Sequence, residues 1–229
     1  MKPLVAYASY CCPKDQDRVL ARAQEHVASH KYPFDVKYFV FQRCPESLIA
    51  PEGFNPIRIA DSDYPEILHH FGIQWPDPVL DELTHGWSAS HFWAHHVCNH
   101  VAVLRQAQTD YIVFADGDCF ISETPESGPS WVEKGIELLE NNPDLFVVCP
   151  SDGGEERREI IMSQQMFLIN RKRFLEMEFI PWDGKFIDGG PMQEWYGMLE
   201  GKISRYMMKN NLFRYVLPQT WRWYHLGFH

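Results

Sequence analysis

Thr109-Asp110-Tyr111-Ile112-Val113-Phe114-Ala115-Asp116-Gly117-Asp118-Cys119 is the stretch on which the fold turns. Tyr111 to Ala115 is a short apolar run of aromatic and β-branched types, which predicts a buried strand. Asp116 and Asp118 fall where that strand should run out. Residues i and i+2 of an extended chain point the same way, so both carboxylates can face one point. Gly117 between them allows a turn or a close approach to a ligand. Asp-Gly is also a common turn pair. The ligand reading gains from the apolar strand directly before the motif, because open α/β sheets bind ligands at the carboxyl ends of strands. Two convergent carboxylates repel each other unless a cation lies between them. Oxygen donors of this kind suit Mg²⁺ or Mn²⁺, with diphosphate oxygens completing the shell.

Outward from this stretch the pattern alternates strand and helix. Leu4 to Tyr10 predicts a first strand, and Pro13 and Asp15 open a helix to about His30, with Val19, Leu20, Ala23 and Val27 at helical spacing. Asp35 to Gln42 and Ile57 to Ala60 read as two further strands. Asp61 and Asp63 before Pro65 suit a solvated turn. Residues 72–86, with Pro76 and Pro78, read as a loop or lid, and His85 to Gln108 as a long amphipathic helix. That helix pairs His91 with His95 and His96 with His100 at i, i+4, but no HExxH arrangement supports a dedicated zinc site. On the carboxyl side, Pro129 to Asn141 predicts a surface helix and Leu145 to Cys149 a strand. Ser151 to Glu159 reads as a polar loop, and Met162 to Asn170 as a strand leading into Arg171-Lys172-Arg173.

Two later stretches carry chemistry. In Phe186-Ile187-Asp188-Gly189-Gly190-Pro191-Met192-Gln193-Glu194-Trp195, the glycine pair allows backbone to approach a ligand, or forms a turn. Glu194 belongs in the first turn of a helix, where the dipole favours a carboxylate whatever its role. The tail, Trp221 to His229, is too apolar and aromatic for a loose end.

The chain of 229 residues and 26.9 kDa suits one α/β domain, and 45% hydrophobic content is enough for a sizeable core. A net charge of −10 argues against a general nucleic-acid binder, which shows a basic footprint. The six cysteines form no CxxC pair and read as reduced, mostly buried thiols. No apolar run approaches the roughly 18–20 residues of a membrane span, and the chain opens directly on a strand. A soluble cytoplasmic protein is the expectation.

The run DYIVFADGDCF resembles the strand and DxD motif of nucleotide-sugar glycosyltransferases with the GT-A fold, most closely family 2. The resemblance covers nearly the whole chain: opening strands, DxD, glycine loop with an acid, and terminal histidine, in that order. It implies a Rossmann-like mixed sheet flanked by helices, in which residues 1–120 bind the nucleotide sugar and residues 121–229 form the acceptor and catalytic half. By the same resemblance Ser9, Tyr10 and the Asp61/Asp63 pair are candidates for nucleoside contacts, and Asp116, Gly189, Gly190 and Arg222 for donor contacts. Asp116 and Asp118, with His225 chosen over His229, would hold Mn²⁺ or Mg²⁺. GGPMQEW is similar to the glycine loop and "xED" motif, making Glu194 the first choice of catalytic base and Asp188 the alternative; Trp195 stands where a second acid is usual. The donor would be a UDP- or GDP-sugar. The acceptor and the stereochemistry stay open, since a retaining enzyme could use the same metal site without a base.

Two other readings remain. A nucleotidyltransferase would share the Rossmann-like half and the metal-binding acids, but ASYCCPKDQD lacks the glycines of its usual loop after the first strand. A GT-A-like protein that binds nucleotide or glycan without turnover is favoured only by the missing second acid beside Glu194.

Overall fold

The computed structural model describes residues 2–69, 89–122, 128–163, 165–177 and 199–226. Its centre is a mixed sheet of eight strands in the order β3-β2-β1-β4-β8-β6-β9-β7. β1 (Val5–Cys11), β2 (Val36–Gln42), β3 (Asn55–Ile59) and β4 (Tyr111–Ala115) run parallel. β8 (Met166–Asn170) reverses direction between β4 and β6 (Leu145–Cys149), with Ala115 paired to Met166. β9 (Phe213–Val216) is parallel to β6 and carries the edge strand β7 (Arg157–Glu159). A separate antiparallel pair joins β5 (Cys119–Ile121) to β10 (Trp223–His225).

Central strands covered on both faces are apolar throughout, and here they feed two cores. On β1, Ala6 and Ala8 pack toward α2 (Tyr64–His69), α3 (Ala89–Gln106) and α6 (Leu199–Asn210). Val5 and Tyr7 pack toward α1 (Gln16–Ser29) and α4 (Trp131–Asn141). α4 begins in a capping box: Ser130 Oγ accepts from the Glu133 N–H at 3.2 Å, and the Glu133 carboxylate accepts from the Ser130 N–H at 2.7 Å. Gly135 lets this helix lie close on the sheet, since a Cβ there would stand 2.7 Å from Leu168 Cδ2.

The stretch Ser151 to Glu159, expected as a loop, contains β7. Arg157 pairs with Asp152 at 2.5 Å and with Glu159, which also binds the buried Arg214. Edge strands commonly carry charge, so the polar letters concealed one. The basic trio starts the short helix α5 (Arg171–Leu175), in which Arg173 donates to the Leu145 carbonyl at 2.6 Å. Among the described residues no helix is long and apolar enough to cross a membrane.

Candidate active site

The strand order changes direction about β1 and β4, so the crevice at their carboxyl ends is where a ligand is expected. Parity carries two side chains into it. Ala6, Ala8 and Tyr10 share one face of β1, as Ile112, Phe114 and Asp116 do along β4 and its extension. There the Tyr10 hydroxyl donates a hydrogen bond to Asp116 Oδ1. Tyr10 also sets its ring edge-on to His100 of α3, with 5.8 Å between centroids. The Asp116 N–H is fixed by the Gln165 carbonyl at 2.8 Å, and the Asp116 carbonyl accepts from the Cys119 N–H at 3.0 Å, which closes the turn.

Asp118 takes different partners. β10 lies antiparallel to β5 with His225 opposite Cys119, and the Leu226 N–H donates to the Asp118 carbonyl at 2.9 Å. This long-range pairing puts His225 Nδ1 3.2 Å from Asp118 Oδ2. Asp118, Cys119 and His225 each offer a ligand atom within 4.8 Å of the others, whereas Asp116 stands outside that group. Cys119 is buried, and burial together with the two carboxylates pushes its thiol well up. Its sulfur lies 3.6 Å from Asp118 Oδ1, and a soft sulfur is a poor ligand for an oxygen-preferring ion. Asp118 and His225 fit Mn²⁺ or Mg²⁺ as neighbouring oxygen and nitrogen donors, partly open to incoming oxygens. Burial also holds the Asp116 carboxyl well above the usual carboxylate range, with the Asp118 and Glu200 charges adding to the shift and the Tyr10 bond opposing it. A cation alongside would relieve that cost.

The other expected residues fall variously. Ser9 is 2% exposed and lies on the face of β1 that carries Val5 and Tyr7, opposite Tyr10. The backbone of Asp61 lies in a 3₁₀ turn over residues 61–63, and its side chain lies outside the described residues. Asp63 accepts the Ala60 N–H at 2.8 Å, as a turn residue does. Arg222 lies along the 151–154 turn: its carbonyl accepts from the Ser122 N–H at 2.8 Å, and a Cβ on Gly153 would meet its guanidinium at 3.5 Å. Asp188, Gly189, Gly190 and Glu194 lie outside the described residues, as does His229. The side chains of His91, His95 and His96 do so too.

One supporting residue escaped the sequence reading. His26 of α1 is buried, accepts from the Tyr7 hydroxyl at Nδ1 and donates from Nε2 to the Cys119 carbonyl, so it braces the DxD turn from below. Burial lowers its pKa to about 4, the Cys119 bond opposing the shift. The native ring stays neutral while the unfolded ring protonates below about 6.5. Stability held above that pH is therefore lost as the pH falls from about 6.5 toward 4, by about 3 kcal/mol at the lower end. Asp116, displaced upward, gains on acidification. The histidine contribution is accordingly the difference between wild type and His26→Gln in urea midpoints at pH 7, 6 and 5. We expect wild type to lose more than the variant across that series.

No protein-family model matches the sequence, and no curated protein does. Similar architecture occurs in the mannosyltransferase PcManGT from Pyrobaculum calidifontis, solved in complex with GDP-Man and Mn²⁺ (TM-score 0.50, 9% identity, 96% of this chain and 56% of that one). It is also similar to S. aureus TarS 1–349 (TM-score 0.48, 11% identity, 97% of this chain and 60% of that one). The chain thus spans 56–60% of the length of these two proteins. At such identities the likeness is one of architecture, and the mixed sheet with its flanking helices has the GT-A fold.

Proposed function

We propose that the chain is a metal-dependent glycosyltransferase that moves a sugar from a nucleoside-diphosphate sugar to an acceptor hydroxyl. The observation that carries this reading is the Asp118–His225 pair, set by the β5–β10 ladder at the carboxyl end of β4. A divalent cation bound there would supply positive charge to the departing diphosphate. Tyr10 and His26 act beneath it, one holding the Asp116 carboxylate and the other the backbone of the turn. Glu194, with Asp188 as alternative, is proposed as the base from its place after the glycine pair. The acceptor oxygen would bond to the anomeric carbon as that carbon's bond to the diphosphate breaks, and the carboxylate would take the acceptor's proton. Residues 1–120 would form the nucleotide-sugar half and residues 121–229 the acceptor half.

The GDP-Man and Mn²⁺ complex of PcManGT makes the guanosine donor with Mn²⁺ the first arm to test. The experiment is a thermal-shift panel of GDP-, UDP-, ADP- and dTDP-sugars, each with and without Mn²⁺. We expect one nucleotide to raise the midpoint only when Mn²⁺ is present. A ligand at a hundredfold excess over its dissociation constant adds about 2.7 kcal/mol of apparent stability. For a domain of this size that is a rise of about 5–10 °C. Binding without release of nucleoside diphosphate, when acceptors are supplied, would favour the non-catalytic reading. No shift in any arm would overturn the donor site itself.

A further inference from the structure

Two of the six cysteines meet away from the carboxylate turn. Cys11 is the last residue of β1, and Cys44 lies two residues beyond the end of β2. Their sulfurs stand 3.7 Å apart, although the residues are 33 positions apart in sequence. The approach is built by the backbone. Arg43 adopts φ +53°, a left-handed conformation that residues with a side chain seldom take, and its N–H is held by the Ile59 carbonyl at 3.1 Å. The chain thereby turns back, so that Cys44 Sγ lies 3.6 Å from the Cys11 carbonyl. Arg58 then pins the loop that follows, donating to the Pro45 carbonyl at 3.2 Å and to the Leu48 carbonyl while its guanidinium lies over the Phe41 ring.

We infer that Cys11 and Cys44 are an oxidative modification site, closing to a disulfide that ties the end of β1 to the β2–β3 loop. A disulfide needs its sulfurs about 2.05 Å apart, so the pair must close by about 1.7 Å. Cys44 is only partly buried, which lets it move and lets a peroxide reach it, while Cys11 is buried behind it. With hydrogen peroxide as oxidant, the Cys44 sulfur takes one peroxide oxygen to become a sulfenic acid and releases water. The Cys11 sulfur then displaces that oxygen as a second water. Two S–H groups lose two electrons and two protons, and one peroxide becomes two waters. Burial pushes both thiols up, so the reaction is slow without excess oxidant. Cys11 directly follows Tyr10, so the link also anchors the strand end that holds Asp116.

The test treats the reduced full chain with hydrogen peroxide and digests it with trypsin without reductant. The expected product joins the peptide ending at Lys14 to the peptide spanning residues 44–58, lighter by two hydrogens than their sum. Cys12 lies in the first of these peptides and is also partly buried, so variants must separate it from Cys11. We expect the link in wild type and in Cys12→Ser, and its absence in Cys44→Ser. Where it forms, the melting temperature should rise by about 5 °C or more, since a closed loop of this length restricts the unfolded chain. Loss of the link in Cys12→Ser would overturn the inference. So would recovery of Cys44 as sulfinic acid or free thiol, unlinked, after exhaustive oxidation.

Discussion

Replacing Asp118 by asparagine is expected, on the proposed function, to cut sugar transfer by about a thousandfold or more, the scale of removing several kcal/mol of charge stabilisation from the leaving group. Asparagine keeps the shape of aspartate and loses the charge, so the loss reports on electrostatics. The fold should survive, because the turn is held by main-chain bonds that the substitution leaves in place: the Asp118 carbonyl accepts from the Leu226 N–H at 2.9 Å, and the Cys119 N–H donates to the Asp116 carbonyl at 3.0 Å. The 23% exposure of the Asp118 side chain likewise spares the core. The measurements are initial rates at saturating donor over a Mn²⁺ titration, with circular dichroism and urea unfolding as controls on the fold. Wild-type rates in a well-folded variant would end the metal-site assignment. A smaller loss recovered at high Mn²⁺ would mean that Asp118 sets affinity for the ion and little else.

The fold was legible where local pattern and global role agree. The run from Tyr111 to Ala115 is apolar without alternation because β4 is covered on both faces, and the two aspartates follow at its carboxyl end. Leu145 to Cys149 was readable for the same reason. What the letters did not contain was partnership across distance. Nothing near Asp118 points to a histidine in the tail, and only resemblance suggested it; the pairing comes from the β5–β10 ladder. Tyr10 was expected to meet a nucleoside, and the structure sets its hydroxyl on Asp116. Parity on two parallel strands could have indicated this once β1 and β4 were known to be neighbours. His26 was invisible for another reason. On an amphipathic helix a histidine at the border of the apolar face reads as a surface residue, and only the structure shows it sealed between Tyr7 and the Cys119 carbonyl.

Gly117 is the position where local packing and the proposed metal site are most tightly joined. It lies between the two aspartates, and a Cβ built on it would stand 2.4 Å from Val19 Cγ1 and 2.8 Å from Cγ2. Those are the branches of a β-branched residue on α1, where one χ1 rotamer dominates, so the methyls have little room to give. Val19 is itself 4% exposed against the β1 and β4 core. Gly117→Ala must therefore push the turn off the helix or the helix off the sheet. Overpacking of this kind costs about 1–3 kcal/mol. The displaced turn carries both carboxylates, so transfer should fall about a hundredfold, because misplacement of about 1 Å is enough for that. Val19→Ala alone should destabilise by about 0.5–2 kcal/mol through the lost methyls, with a smaller effect on rate. The double variant separates geometry from burial. Once Val19 is trimmed, the new methyl occupies the space it left, and the two stability losses should combine to clearly less than their sum. Urea unfolding of the four proteins measures that coupling, and transfer rates should recover with it. Strict additivity would show that Val19 does not set the height of the turn, and the glycine would then answer only to the backbone.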